Sequence, residues 1–167
     1  GNGGSASDSE HIVGELMKGF FKKREIPRDF VDKMRKEGGQ EAEDMCKYLQ
    51  GALPAVSLTQ HAALSTAYSN DVSPEMVFAQ QVYGYGTGKD ILIAISTSGN
   101  SKNVVNACIV ARAAGMKIIG LTGKSGGRLK ELCDVLINVQ GDCTAEIQEL
   151  HLPVYHTLCA MLEEKFY

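Results

Sequence analysis

Short apolar runs alternate along this chain with longer segments of helical pattern, and this alternation limits the possible folds more than any other feature. It is typical of a parallel sheet covered by helices, because each crossover between parallel strands takes a helix. The runs are almost wholly apolar, so we predict strands that are buried on both faces. The predicted strands are Ala52–Leu58, Asp90–Ile95, Met116–Thr122 and Val135–Val139.

The remaining segments carry helix signals. Ser73 followed by Pro74 and Glu75 is typical of an N-cap, a first-turn proline and an acidic first turn, and Gly115 is typical of a helix end. We therefore predict one α/β domain over residues 1–167, with a doubly wound, flavodoxin-like parallel sheet and helices on both faces. The predicted helices are about Ala6–Phe21, Asp32–Leu49, Pro74–Tyr83, Lys102–Ala114, Gly127–Cys133 and Thr144–Phe166.

Composition and charge exclude several other classes of protein. The 167 residues suffice for one core, and 44% of them are hydrophobic, which is typical of a folded chain. The formal net charge is −3 and the basic residues are scattered, so we expect neither nucleic-acid nor membrane binding. No apolar run reaches the ~18 residues of a membrane span. Without a secretory signal or a C-x-x-C pair, the five cysteines indicate reduced thiols and a cytoplasmic protein.

The strongest local motif is the serine loop, Ser96-Thr97-Ser98-Gly99-Asn100-Ser101, between an apolar strand and an amphipathic helix. Four hydroxyls and a glycine at a strand-to-helix turn direct several donors to one point beside the positive end of a helix dipole. A single Ser or Thr there would indicate an ordinary capping turn. Four of them favour a phosphate site.

A second loop of this type opens the chain, as Gly1-Asn2-Gly3-Gly4-Ser5-Ala6. Its glycines permit close approach of the backbone to a phosphate, although any tight turn has a similar composition. Since such a loop follows a strand in doubly wound sheets, we hypothesise that a helix and a strand precede Gly1. We expect this opening loop and the serine loop to meet at the carboxyl edge of the sheet.

Polar side chains on two helices form a further candidate site. His11 and Glu15 share one face of the first helix, as a solvated pair or as a metal or proton-transfer site. Gln148 and His156 lie eight residues apart on the last helix, about 12 Å along its axis and turned by about 80°. They reach one ion only if Pro153 bends the helix or if different subunits contribute them.

Asn70 and Asp71 precede the helix that begins at Pro74, and we place them in a loop. Such residues form turns, or they bind sugar hydroxyls. Lys124 and Arg128 flank a glycine turn after the third predicted strand, where attraction of a phosphate is one of two open interpretations.

Taken in order, these motifs resemble the sugar isomerase (SIS) domain family, and within it the phosphoheptose isomerases. The resemblance is carried by the opening loop with Asp8 and His11, the serine loop, and three later segments. It covers nearly the whole chain, and several separate motifs agree. Those later segments are Leu121-Thr122-Gly123-Lys124, Gly126-Gly127 and Ile147-Gln148-Glu149-Leu150-His151.

The resemblance implies a set of site residues. Glu15 and His156 become the acid–base pair, and a zinc ion is expected on His11, Glu15, Gln148 and His156. It further implies a homotetramer with active sites at subunit interfaces. The expected substrate contacts are Asn2, Gly3, Gly4, Ser5, Glu15, Asn70, Asp71, Ser96, Thr97, Ser98, Ser101 and Gln148.

The implied reaction interconverts sedoheptulose 7-phosphate and D-glycero-D-manno-heptose 7-phosphate through an enediol, for bacterial heptose biosynthesis and lipopolysaccharide. Two alternatives stay open. One is a non-catalytic SIS protein that binds the chromosomal replication initiator, and the other is a sugar-phosphate-sensing module. Because the non-catalytic branch lacks the acid–base pair, the presence of Glu15 and His156 favours an enzyme.

Overall fold

A computed structural model describes residues 1–167 and contains three parallel strands in the order β1-β2-β3. The strands are β1 (Ile91–Ser96), β2 (Lys117–Thr122) and β3 (Val135–Asn138). In the register, Ile91 pairs with Lys117 and Ile119 pairs with Val135. The predicted α/β class with a parallel sheet is confirmed, and three of the four predicted strands are present. The helix and strand expected before Gly1 stay a prediction.

The prediction of a strand over Ala52–Leu58 is wrong, because that segment is irregular. Pro54 at its centre has no N–H to donate to a ladder. The N–H of Leu53 instead donates to the Leu16 carbonyl at 2.9 Å. At the other end, Ser57 exchanges hydroxyl hydrogen bonds with Ser9 and Thr59. Apolar composition alone therefore does not make this run a strand.

Both faces of the sheet are buried. Successive side chains of a strand point to opposite faces. Ala94 of β1 and Ile118 of β2 lie on one face, within the main apolar core cluster that also includes Val105 and Leu129. Ile95 lies on the opposite face and is 1% exposed. Burial on both sides explains why the strands have no polar alternation.

Six α-helices accompany the sheet, and one of them was not predicted. This helix, α3, covers residues that the sequence pattern places in a loop, and it has no buried residue. The helix predicted over Gly127–Cys133 is a short 3₁₀ turn, Gly127–Glu131, and another 3₁₀ turn, Pro74–Met76, precedes α4. The α-helices are α1 (Gly4–Met17), α2 (Arg28–Met45, kinked at Gly38 and Gly39), α3 (Ala62–Asp71), α4 (Val77–Tyr85), α5 (Lys102–Ala113) and α6 (Thr144–Phe166).

The chain divides into two compact units. The first unit, residues 1–10 and 57–154, contains the sheet, and the second, residues 11–56 and 155–167, is helical. Helices α1 and α6 each contribute residues to both units. The prediction of one domain over residues 1–167 stays a prediction. No helix is long and apolar enough to cross a bilayer.

A buried ion pair holds the second unit together. The Arg24 Nε donates to Glu163 Oε1 at 2.8 Å, and the two side chains are 0% and 2% exposed. The other guanidinium nitrogens donate to the carbonyls of Leu16 and Glu15, at 2.6 and 3.0 Å. Each polar atom of this guanidinium thus has a partner, as a buried cation requires. The pair connects the last turn of α1 to the end of α6.

Candidate active site

The serine loop connects the carboxyl end of β1 to the first turn of α5. The hydroxyls of Ser96 and Ser101 lie 3.0 Å apart. Ser98 Oγ accepts a hydrogen bond from the Asn100 N–H at 3.1 Å. The loop therefore joins hydroxyl groups to the positive end of a helix of twelve residues, an arrangement that favours a bound anion.

The neighbouring turn after β2 fixes the conformation of this loop. Gly99 has a φ of +67°, and a Cβ added to it would overlap the carbonyl oxygen of Gly126. The Leu129 N–H donates to the Gly99 carbonyl at 3.1 Å, and the Arg128 N–H donates to Asn100 Oδ1 at 3.0 Å. Only glycine combines this backbone conformation with so close an approach. These contacts fix the backbone of the serine loop at Gly99 and Asn100 against the turn after β2.

The opening loop lies beside the first turn of α5, the helix that follows the serine loop. Its predicted meeting with the serine loop itself stays a prediction. Two side-chain hydrogen bonds of 2.9 Å join the amides of Asn2 and Asn103, the latter in the first turn of α5. Gly3 has a φ of +56°, and its carbonyl accepts from the Ala6 N–H at the start of α1. Asn2, Gly3 and Gly4 are exposed, whereas Ser5 is buried. The backbone of the opening loop is thus open to a ligand, and the Ser5 side chain is not.

A surface cleft of about 280 Å³ in the first unit adjoins the opening loop. Ser65 and Ser69 line it from one face of α3, one helical turn apart. Asn70 and Asp71, for which a loop position was predicted wrongly, occupy the end of α3, and the Asn70 amide donates to Asp71 Oδ1 at 2.8 Å. The cleft is also lined by Gly1, Asn2, Gly3, Ala6, Thr59, Pro74, Val77, Phe78 and Asn103.

The second unit brings three of the predicted acid–base and metal residues together. His11 Nε2 lies 3.2 Å from Glu15 Oε1, and Lys18 Nζ donates to the other carboxylate oxygen at 3.0 Å. The ring centroids of His11 and His156 are 5.0 Å apart and nearly perpendicular. The Phe20 ring also packs against His156, at a centroid distance of 5.5 Å. A carboxylate and two imidazoles therefore share one small region.

Gln148 belongs to the first unit, where its side-chain amide packs against α1. A Cβ added to Gly4 would lie 2.6 Å from the Gln148 amide carbon, so glycine leaves the space that this side chain fills. Helix α6 continues without a break through Pro153. His151, one turn after Gln148, is fully buried, and its ring lies against the Thr122 backbone. Burial lowers its pKa, which favours the neutral ring.

The donor atoms of the second unit bear on the expected metal site. His156 Nε2 is buried and makes no hydrogen bond, which leaves this nitrogen available to a ligand. Two imidazoles and a carboxylate are donors that zinc prefers. No three His, Cys, Asp or Glu side chains already stand in a metal-binding arrangement, and His11 Nε2 faces Glu15. The residues fit zinc in their chemistry, and the His11 ring would have to exchange one partner for it.

Lys124 forms an ion pair with Asp142 at the surface, and its role in attracting a phosphate stays open. Ser65, Ser69, Asn103 and Tyr155 are polar groups that the sequence did not single out. The first two share one face of a helix, but that signal is lost when α3 is taken for a loop. Tyr155 adjoins His156 in sequence, and its position beside His11 has no signature in the sequence.

Comparison with known proteins gives consistent results. A family model described as the SIS domain matches residues 41–123. The phosphoheptose isomerase of Nitratiruptor sp. is 41% identical over 99% of this chain and 75% of its own length. A probable phosphoheptose isomerase of Thermoplasma acidophilum is 39% identical over 99% of this chain and 77% of its own length.

Solved structures with this fold point to the same family. The phosphoheptose isomerase GmhA from Neisseria gonorrhoeae superposes with a TM-score of 0.76 at 34% identity, over 98% of this chain and 73% of its own. A phosphoheptose isomerase from Francisella tularensis superposes with a TM-score of 0.77 at 32% identity, with the same coverage. Likeness in sequence and likeness in fold thus agree.

Proposed function

Since the chain belongs to the phosphoheptose isomerase family, we propose that it interconverts sedoheptulose 7-phosphate and D-glycero-D-manno-heptose 7-phosphate. The observation that carries this proposal is the grouping of Glu15, His11 and His156 in the second unit. An aldose–ketose isomerisation needs a base beside the reacting carbons and a second group that moves protons between oxygens. A carboxylate and an imidazole without a hydrogen-bond partner on Nε2 meet those needs.

Glu15 acts in this proposal as the base. Its carboxylate takes a proton from the carbon next to the carbonyl, which leaves an enediolate, and returns the proton to the neighbouring carbon. Its side chain is 13% exposed and held by His11 and Lys18, so it is oriented before substrate binds. His156 Nε2 donates a proton to the developing alkoxide and recovers one from the other oxygen, so protons balance over the cycle.

The serine loop and the opening loop anchor the end of the substrate that does not react. We assign phosphate contacts to Ser96, Thr97, Ser98 and Ser101, and sugar contacts to Asn70, Asp71 and Gln148. The fixed shape of the serine loop supports this assignment, because a preorganised cradle loses little entropy on binding. Binding energy at the phosphate then positions the reacting carbons. The opening loop adds backbone contacts from Asn2, Gly3 and Gly4, with Ser5 behind them.

Zinc is part of the proposal as a cofactor held by His11, Glu15, Gln148 and His156. A bound zinc ion would polarise the carbonyl oxygen of the sugar as a Lewis acid. The two imidazoles and the carboxylate grouped in the second unit, donors that zinc prefers, support this assignment. If it is right, chelation lowers the turnover number and added zinc restores it. Full activity in metal-free protein, verified by elemental analysis, would remove the metal from the proposal.

We propose in addition a homotetramer with active sites at subunit interfaces, acting in the cytoplasm on the way to heptose-containing glycoconjugates such as lipopolysaccharide. Large apolar side chains exposed on α6 support association, since isolated proteins rarely expose many of them together. Met161 and Phe166 are 63% and 57% exposed in the second unit. All five cysteines are free thiols, which fits a reducing compartment.

The decisive test is Glu15→Gln, which keeps the shape of the side chain and removes the base. We expect turnover of sedoheptulose 7-phosphate to fall by about 10²- to 10⁴-fold, the usual contribution of a general base. Glu25→Gln, at an exposed position of the same unit, is the matched control and should keep full activity. Wild-type-like turnover by the Glu15 variant would contradict the proposed mechanism, and an inactive wild type would contradict the function itself.

A further inference from the structure

Asn103 is a half-buried residue that none of the assignments above uses. It lies in the first turn of α5, two residues after Ser101, which ends the serine loop. Its side-chain NH₂ donates to Asn2 Oδ1 at 2.9 Å, and its Oδ1 accepts from the Asn2 NH₂ at 2.9 Å. The two amides thus form a reciprocal pair, and this pair joins the opening loop to the helix that follows the serine loop.

The Asn103 side of this pair is held by its own helix. Asn103 Oδ1 also accepts the N–H of Val104 at 3.0 Å, which orients the amide. Val104 and Val105 are 3% and 0% exposed in the main apolar core cluster, so the first turn of α5 cannot shift without disturbing the core. Side chains on such an element are placed more precisely than side chains on a loop. Asn103 is therefore a rigid anchor.

The Asn2 side of the pair belongs to an exposed segment. Asn2, Gly3 and Gly4 are all exposed, and a Cβ added to Gly3 would meet no atom within 4 Å. Glycine has more backbone freedom than any other residue, so ordering an exposed Gly-Gly segment costs entropy. The amide pair restricts that freedom at Asn2, the residue directly before the two glycines. It therefore gives the backbone N–H groups of the opening loop a defined position.

We propose that Asn103 is a positioning residue for the substrate: through Asn2 it holds the opening loop at a set distance from the serine loop, so that one sugar phosphate contacts both. This inference rests on the proposed function for its effect on substrate binding, but not for its effect on the opening loop. Ordering a loop in advance reduces the entropy lost on binding. The pair lies in the first unit, whereas Glu15 and His156 belong to the second. The effect should accordingly appear in KM rather than in kcat.

The test compares Asn103→Ala with Asn106→Ala, which removes an amide of the same helix that donates to the Glu75 carbonyl at 3.1 Å. We expect Asn103→Ala to raise KM for sedoheptulose 7-phosphate by about fivefold or more, because two neutral hydrogen bonds are lost. Its kcat should change less than about twofold, and Asn106→Ala should leave both constants within about twofold of the wild type. An unchanged KM in Asn103→Ala would overturn the proposal.

A double-mutant cycle shows whether Asn103 acts through Asn2. Asn2→Ala keeps the backbone N–H and should raise KM about as much as Asn103→Ala, since each variant removes the same pair. Adding Asn103→Ala to Asn2→Ala should then change KM by less than about twofold, because the pair is already absent. If the two effects multiply instead, Asn103 acts independently of Asn2 and the proposal is wrong.

A measurement without substrate separates failure of this inference from failure of the function. The N–H groups of Ala6 and Ser7 donate to the Gly3 carbonyl, so their hydrogen exchange in the full chain reports opening of this loop. We expect exchange about fivefold faster in Asn103→Ala and unchanged in Asn106→Ala. Unchanged exchange in Asn103→Ala, or equally faster exchange in both variants, would overturn the proposal. A wild type that does not convert sedoheptulose 7-phosphate, with faster exchange only in Asn103→Ala, would refute the proposed function and still support the positioning of the opening loop.

Discussion

Glu163→Gln tests the physical account of the second unit most directly. The Glu163 carboxylate accepts hydrogen bonds from the backbone N–H groups of Phe20, Phe21 and Lys22, at 2.8, 2.7 and 3.0 Å. It also accepts from Arg24 Nε. Glutamine has nearly the same shape, so the substitution changes charge and hydrogen bonding and leaves packing almost intact. Its amide NH₂ would face backbone N–H donors, and the Arg24 guanidinium would stay buried without a counter-charge.

The expected cost follows from those contacts. Removing one partner of a buried ion pair costs about 3 to 5 kcal/mol, because the other charge is left uncompensated. Burial alone would raise the pKa of Glu163, but the N–H groups of Phe20 and Phe21 and the Arg24 side chain outweigh it and lower the pKa to about 2. The folded state thus favours the ionised carboxylate. Since small domains are stable by about 5 to 15 kcal/mol, the variant should lose a large share of its stability.

The assay is urea unfolding followed by circular dichroism at one fixed protein concentration. Glu164→Gln is the matched control, since this neighbour is 75% exposed and pairs with Lys22 at the surface. Surface pairs contribute about 0 to 1 kcal/mol, so the control should unfold almost like the wild type. A loss below about 1 kcal/mol in Glu163→Gln would refute the claim that this pair holds the unit together.

Three further outcomes are expected. The pKa of Glu163 is depressed from 4.5 to about 2, so the carboxylate's contribution to stability is complete above the unfolded-state pKa and is lost as the pH falls from 4.5 toward 2. Acid unfolding of the wild type and of Glu163→Gln measures this contribution. If stability falls equally with pH in the two proteins, the reasoning is wrong. Ser101→Ala should raise KM about tenfold or more with kcat nearly constant, as expected when a hydrogen bond to a charged group is lost; an unchanged KM excludes this hydroxyl from phosphate binding. Gly99→Ala should lower the free energy of unfolding in urea by about 1 to 3 kcal/mol, because Gly99 has a positive φ and lies against the Gly126 carbonyl. The control Gly14→Ala, which faces open space on α1, should raise the free energy of unfolding by up to about 1 kcal/mol.

The strands were predictable where burial alone determines them. β1 and β2 are continuous apolar runs buried on both faces, so their sequence and their environment agree. The segment around Pro54 has a similar composition, but its residues bond elsewhere in the chain. For α3 the prediction failed in the opposite way, because it placed a loop where the structure has a helix. It buries no residue, so no apolar stripe marks it, and its Ser and Thr side chains resemble those of a loop.

The candidate site was predictable only in part from residue spacing. The pairing of His11 with Glu15 follows from their separation of four residues on one helix. That His156 joins them comes from tertiary packing, and only the family resemblance indicated it. Tyr155 and His156 are neighbours, and adjacent helical residues point about 100° apart. Spacing therefore gives no reason to expect that His11 contacts both of their rings.

The proposed acid–base group depends on contacts that lie outside its own helix. The last turn of α1, which carries Glu15, has its carbonyls held by Arg24, and Arg24 is fixed by Glu163 of α6. Glu163 also binds the N–H of Phe20, whose ring packs against His156. The interactions that stabilise this unit are thus also the ones that place the base and the imidazole. Loss of Glu163 should therefore lower kcat even at temperatures where the variant is still folded, since small displacements of catalytic groups reduce rate strongly.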